Sequence, residues 1–211
     1  MVRLMDIGLE RLKNMILDMA EHSEKTVSTA IEAYIHGKDL TQQIFDSSEQ
    51  LRMHQDEVSE LAVELIARYQ PVASDLRFIK SCMEIAYGFS RFGRYAYDII
   101  QVLGIFGDLS MCDKTAIEKA GNQVKEMIRV SIKAFTERDV NLARKLREMD
   151  DVVDNTYLDF VRGAAQTSEA NLKCSISATL ILRYLERIAD HAAYIGDSVL
   201  YIVSGERASR K

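Results

Sequence analysis

The chain has 211 residues, room for one or two domains with a sizeable core. It carries 27 Lys and Arg against 32 Asp and Glu, a net charge of −5, which argues against a nucleic-acid binder driven by phosphate neutralisation. Apolar residues make up 47%, too many for a disordered chain, and one proline (Pro71) with ten glycines argues against a sandwich or barrel of many short strands.

Long helices are the alternative, and the breakers space them. A first helical pattern ends at Gly37, with Asp39 placed to cap the next. Pro71 and Ser74-Asp75 separate a second helix from a third. The stretch GIFGDLSMCD (Gly104 to Asp113) is a turn-like segment at mid-chain. Weaker breaks follow at Arg138-Asp139 and at Gln166-Thr167-Ser168, and Gly205 closes the last helix before a short basic tail. The expectation is an all-α chain of six helices of about 25 to 35 residues. Short loops make consecutive helices antiparallel, so these form two tandem three-helix bundles, residues 1–106 and 107–211.

The two halves repeat each other. Ala178, Ile181, Leu185, Ile188, Ala192, Ile195 and Val199 form the apolar seam of the last helix. Ninety-six residues earlier stand Cys82, Ile85, Phe89, Phe92, Ala96, Ile99 and Leu103, all apolar. The second and fifth helices are also related, but in one of two registers. An offset of 102 aligns Leu40, Ile44 and Leu51 with Leu142, Leu146 and Val153; an offset of 94 aligns Asp56 and Val58 with Asp150 and Val152.

Chemistry concentrates in the second half. Asp150 and Asp154 lie four apart on helix five, and Glu186 and Asp190 four apart on helix six, so each pair shares one helix face. Four like charges repel when brought together, and a bound cation reverses the sign; Fe, Mn, Mg and Zn accept such oxygen ligands. The helical wheel puts Glu186 and Asp190 away from the Leu185-Ile188-Ala192 seam, which predicts a site on the bundle surface. The other reading is a solvated acidic face, with Arg183 and Arg187 pairing locally. In the first half Ser90 and Arg94 stand at the places of Glu186 and Asp190. On helix two, one register puts Ser48 and Arg52 at the places of Asp150 and Asp154, and the other puts Asp56 and Glu60 there.

The remaining signals are sparse. No histidine (His22, His36, His54, His191) follows a Glu by three, so the Glu-x-x-His pairs of di-iron bundles are absent. His191 is either an outer ligand beside Asp190 or a surface residue. Neither a P-loop, GxGxxG, HExxH nor G-x-S-x-G occurs. Cys82, Cys112 and Cys174 are widely spaced without a CxxC and read as reduced thiols of a cytosolic protein. The uncharged runs are too short for a membrane span, and the charged N-terminus is not a signal peptide.

R-Y-L-E-R-I-A-D-H-A (Arg183 to Ala192), V-L-Y-I-V-S-G-E (Val199 to Glu206), Q-P-V-A-S-D-L-R-F-I (Gln70 to Ile79) and the D-D-V-V-D run together resemble the PhoU family of phosphate-uptake regulators, over about residues 8–206. The resemblance implies two tandem three-helix bundles, often dimeric. It also implies a cytoplasmic, non-enzymatic adaptor, peripheral at the inner membrane face, linking a phosphate ABC transporter to a sensor histidine kinase. Some members bind multinuclear iron or zinc at an E(D)xxxD motif. Carried over, Glu186 and Asp190 match that motif, with Asp150 and Asp154 as helix-five partners. The first half departs from it: S-R-F-G-R (Ser90 to Arg94) replaces E-R-I-G-D, leaving Arg91 and Arg94 as a basic patch or a salt-bridged surface. In the second half Ala189 replaces the motif's Gly. A carboxylate-metal enzyme and a metal-free helical scaffold for another transporter are the competing functions.

Overall fold

The computed structural model describes residues 4–165 and 172–206. Six helices follow in order: α1 (Leu4–His36), α2 (Thr41–Tyr69), α3 (Ala73–Phe106), α4 (Thr115–Glu137), α5 (Val140–Ala164) and α6 (Leu172–Ser204). Among the described residues there is no strand, and the two three-helix bundles are α1–α3 and α4–α6. No described helix is long and apolar enough to cross a membrane.

Local chemistry explains most of the boundaries. Gly37, Gly107 and Gly205 take positive φ where α1, α3 and α6 stop, a conformation that glycine adopts without a Cβ penalty. Asp139 caps α5, its carboxylate accepting from the backbone N–H groups of Asn141 and Leu142. Asp39 is not the capping residue of α2, whose N-cap is Leu40 without a side-chain cap, but it stands one residue before and accepts from Thr41 N at 3.0 Å. At mid-chain the helix outlasts the expected turn. It runs through Gly104 to Phe106, and Ser74-Asp75 likewise belong to the start of α3. The break at Gln166-Thr167-Ser168 lies outside the described residues.

The long helices α3 and α6 form the middle of the molecule. Alpha3 packs on α1, α2 and α6, and α6 on α4, α5 and α3, while α1 also meets α4. Every residue of the α6 seam is buried, and in α3 only Leu103 of the matching set is partly exposed. The core is continuous through both bundles. Close approach between them is secured where side chains are missing. A Cβ at Gly88 would lie 3.2 Å from Ile195 of α6, and one at Gly121 would lie 3.1 Å from Ile31 of α1. Phe78 stacks on Phe135 with ring centroids 6.1 Å apart, and Arg129–Glu24 and Lys125–Glu32 pair α4 with α1.

One expectation is overturned. Cys112 and Cys174 are not separate reduced thiols but a disulfide, with Cα atoms 5.4 Å apart across 62 residues of sequence. Sequence spacing conceals the pairing because the α3–α4 connection and the start of α6 become neighbours only when α4, α5 and α6 pack into the second bundle. Cys82 is free and buried in the core, where burial pushes its thiol far up and keeps it protonated.

Candidate functional site

Helices α5 and α6 run antiparallel and very close. A Cβ at Gly196 would fall 2.7 Å from the carbonyl oxygen of Ala143 and 2.9 Å from Leu146 Cδ1, so only glycine fits at that crossing. Beside it Arg147 donates to both carboxylate oxygens of Asp197, at 2.8 and 3.0 Å from Nη2 and 3.0 Å from Nε. This clamp sets the two helices in register. About two turns further along α5, Asp150 and Asp154 then face Asp190 and Glu186.

The predicted quartet therefore comes together, but not as four equals. Oxygen atoms of Asp150, Asp154 and Asp190 lie within 4.8 Å of one another, each on a partly buried residue. Glu186 sits deeper than the helical wheel predicts. It is 9% exposed and lies at the edge of the core, because α5 covers the flank of α6 that the seam alone leaves open. Arg183 Nη1 donates to Glu186 Oε1 at 2.5 Å, and Arg187 Nη1 to Asp190 Oδ2 at 3.1 Å. The local pairing of the acidic-face reading is thus real for both α6 carboxylates.

The α5 carboxylates have no such relief. Asp150 Oδ1 and Asp154 Oδ1 are buried without a hydrogen-bond partner, as is Glu186 Oε2, whose ion pair with Arg187 is long at 3.7 Å. Buried carboxylate oxygens without partners are costly. The protons respond accordingly. Burial, then the charges of Asp154, Asp190 and Glu186, push Asp150 up to about 7. Asp154 and Glu186 are raised for the same reasons, with Arg183 and Arg187 opposing. Orphaned, mutually repelling oxygens fit a hard or borderline cation: Asp150, Asp154 and Asp190 would hold it, with Glu186 adjoining.

The same place in the first bundle is chemically inverted, and the fold settles its register. Ile44 and Leu51 are buried like Leu146 and Val153, which is the offset of 102. A Cβ on Gly93 would meet Ser48 Cα at 3.2 Å, so Ser48 sits against α3 in the α2–α3 groove. Ser48 and Arg52 therefore stand where Asp150 and Asp154 stand, and Ser90 and Arg94 where Glu186 and Asp190 stand. Ser90 is 9% exposed, as Glu186 is. Arg52 pairs with Glu49 and Asp56, and Arg94 with Asp98. Arg94 thus takes the salt-bridged reading, whereas Arg91 donates to Tyr95 Oη and lies over its ring. Asp56 and Glu60 are on the exposed side of α2.

His191 is half-buried rather than a free surface residue. Its ring packs against Tyr87 and Tyr95 of α3, with centroids 5.8 and 6.0 Å away, and burial with nearby Arg91 lowers its pKa. It is part of the joint between the bundles. Sequence reasoning missed the Arg147–Asp197 clamp, whose partners are 50 residues apart and belong to no motif.

The PhoU domain profile matches the chain twice, over residues 16–103 and 117–199. The chain belongs to the PhoU family. A phosphate-specific transport system accessory protein PhoU homolog of Pseudomonas putida is 30% identical over 208 residues, covering 93% of this chain and 79% of its own. A homolog 1 of the same description from Methanothermobacter thermautotrophicus is 27% identical, covering 94% of each. The crystal structure of PhoU from Pseudomonas aeruginosa superposes with a TM-score of 0.89 at 29% identity, over 95% of this chain and 99% of that one. A PhoU structure from Streptococcus pneumoniae, at 20% identity and a TM-score of 0.90, shares the fold. Membership makes this chain one of the PhoU-type accessory proteins of phosphate transport.

Proposed function

We propose that this PhoU protein is a regulatory adaptor, not an enzyme, and that its second bundle senses or uses a metal ion held by Asp150, Asp154 and Asp190, with Glu186 beside them. The observation that carries the metal reading is the set of buried carboxylate oxygens converging without partners from α5 and α6. A cation there would neutralise the repulsion and tie the two helices together. The cations suited to this oxygen set include multinuclear iron or zinc centres. The partners in this reading are the phosphate ABC transporter and a sensor histidine kinase at the cytoplasmic face of the membrane, engaged by a homodimer. The accessory-protein descriptions of the relatives support the transporter half of it. The chain divides for this purpose at the α3–α4 connection.

The test is the metal content of untagged, natively purified protein beside a variant with Asp150, Asp154, Glu186 and Asp190 all replaced by alanine. Stoichiometric iron, zinc or manganese in the parent alone is the expected result. Negligible metal in both, even after loading, would leave Arg183 and Arg187 as the counter-charges among the described residues and reduce the site to an acidic face for solubility or a protein partner.

A further inference from the structure

From the contact between the α3–α4 connection and the start of α6, we propose that Cys112 and Cys174 form a reversible redox site, a dithiol–disulfide pair that exchanges with small thiols and braces the junction between the two bundles.

Three observations carry this. First, the pair is reachable. Both cysteines are partly exposed and line a surface groove of about 550 Å³ with Met111, Phe160, Gly163 and Ala178, whereas Cys82 is fully buried. A groove of that size admits a tripeptide-sized thiol to the sulfurs. Second, the two segments already meet beside the bond: Cys174 stands at the start of α6 next in sequence to Lys173, whose ammonium donates to Asp108 O of the connection. Third, the bond joins segments that few other described contacts hold. Lys173 Nζ donates to Asp108 O at 2.8 Å, and Lys114 Nζ to Ile35 O at 2.6 Å. Leu109 is the buried anchor of the connection. From Cys174 the path continues inward: its carbonyl accepts from Ser177 Oγ at 3.0 Å, and Ser177 bonds Tyr34 of α1. The bond thus fastens the connection between bundles to α6, while Lys114 fastens it to α1.

The chemistry is thiol–disulfide exchange with a low-molecular-weight disulfide, RSSR. Starting from the dithiol, the Cys174 thiolate attacks one sulfur of RSSR, forming a mixed disulfide and releasing RS−. The Cys112 thiolate then attacks Cys174 Sγ, closing the intramolecular bond and releasing the second RS−. Two protein thiols are oxidised, RSSR is reduced to two RSH, and the two protons pass to the released thiolates. Reduction runs the same steps backwards.

The experiment equilibrates the full chain in mixtures of reduced and oxidised glutathione, quenches with acid, denatures, alkylates and reads the intact mass. Amide exchange is followed in parallel, with Cys112→Ser, Cys174→Ser and Cys82→Ser variants. The expected result is a reversible two-electron transition in wild type and Cys82→Ser, with only Cys82 labelled at the oxidised end of wild type. Reduction should speed exchange roughly tenfold at 107–114 and 172–178 and leave the centres of α3 and α6 unchanged. The two other serine variants should exchange like reduced wild type in every mixture. Three labelled thiols in pure oxidised glutathione, a mixed disulfide as the end state, or a bond that survives excess reduced glutathione would each overturn the proposal. So would exchange that ignores the redox state. None of these readouts depends on metal at the carboxylate site.

Discussion

Asp150 concentrates the electrostatic problem of the second bundle in one side chain. Its carboxyl is raised from 3.8 to about 7, chiefly by burial and then by Asp154. A proton on it therefore favours the folded state: the contribution is complete below the unfolded value of 3.8 and is lost as pH rises through about 7. Metal-free protein should thus lose stability between pH 4 and pH 8. Asp150→Asn should raise the unfolding free energy from urea titration at pH 8 by about 1–2 kcal/mol, once solvent screening of this half-exposed group is allowed for, and change it little at pH 4. A bound cation would reverse that order at pH 8, since wild type alone keeps all its ligands. The identities of these carboxylates and their spacing were legible in the sequence. That three of their oxygens are buried without partners was not, because the burial of Asp150, Asp154 and Glu186 depends on how α5 lies on α6.

At the scale of elements, the distance between α5 and α6 matters more than the helices themselves. Gly196 permits the contact with Ala143, and the Arg147–Asp197 clamp fixes its register. Gly196→Ala places a methyl against backbone, which cannot rotate away. It should cost about 1–3 kcal/mol by urea unfolding and, by prying the helices apart, lower metal retention in the same preparation. The first bundle solves the same packing without carboxylates. Gly93 lets Ser48 and Leu51 approach α3, and Arg52 and Arg94 bring their own charge, neutralised by Glu49, Asp56 and Asp98. The correspondence of α3 with α6 was readable from seven apolar seam positions that recur at a spacing of 96, and in the structure twelve buried positions share that spacing. The correspondence of α2 with α5 was ambiguous because any two amphipathic seams align in more than one register, and only burial against the partner helix separates them.

The whole molecule is held by one core running through both bundles, by α1–α4 ion pairs at the rim and by a covalent link at the junction. Closing 62 residues restricts the unfolded chain, so reducing Cys112–Cys174 should lower unfolding free energy by about 4 kcal/mol on the chain-entropy account. Paired urea titrations with and without reductant measure it, with the Cys112→Ser variant as the insensitive control. Composition, the seams and the breakers at Gly37, Pro71, Arg138 and Gly205 determined six helices, their order and the duplicated plan, because helix formation and chain reversal are governed by neighbours a few residues apart. The motif residues also carried the family. Tertiary structure alone decided the depth of Glu186, the place of His191 between Tyr87 and Tyr95, the register of α2 and the cysteine pairing. Each of these depends on which surfaces meet when helices distant in sequence dock, and no local pattern encodes that contact.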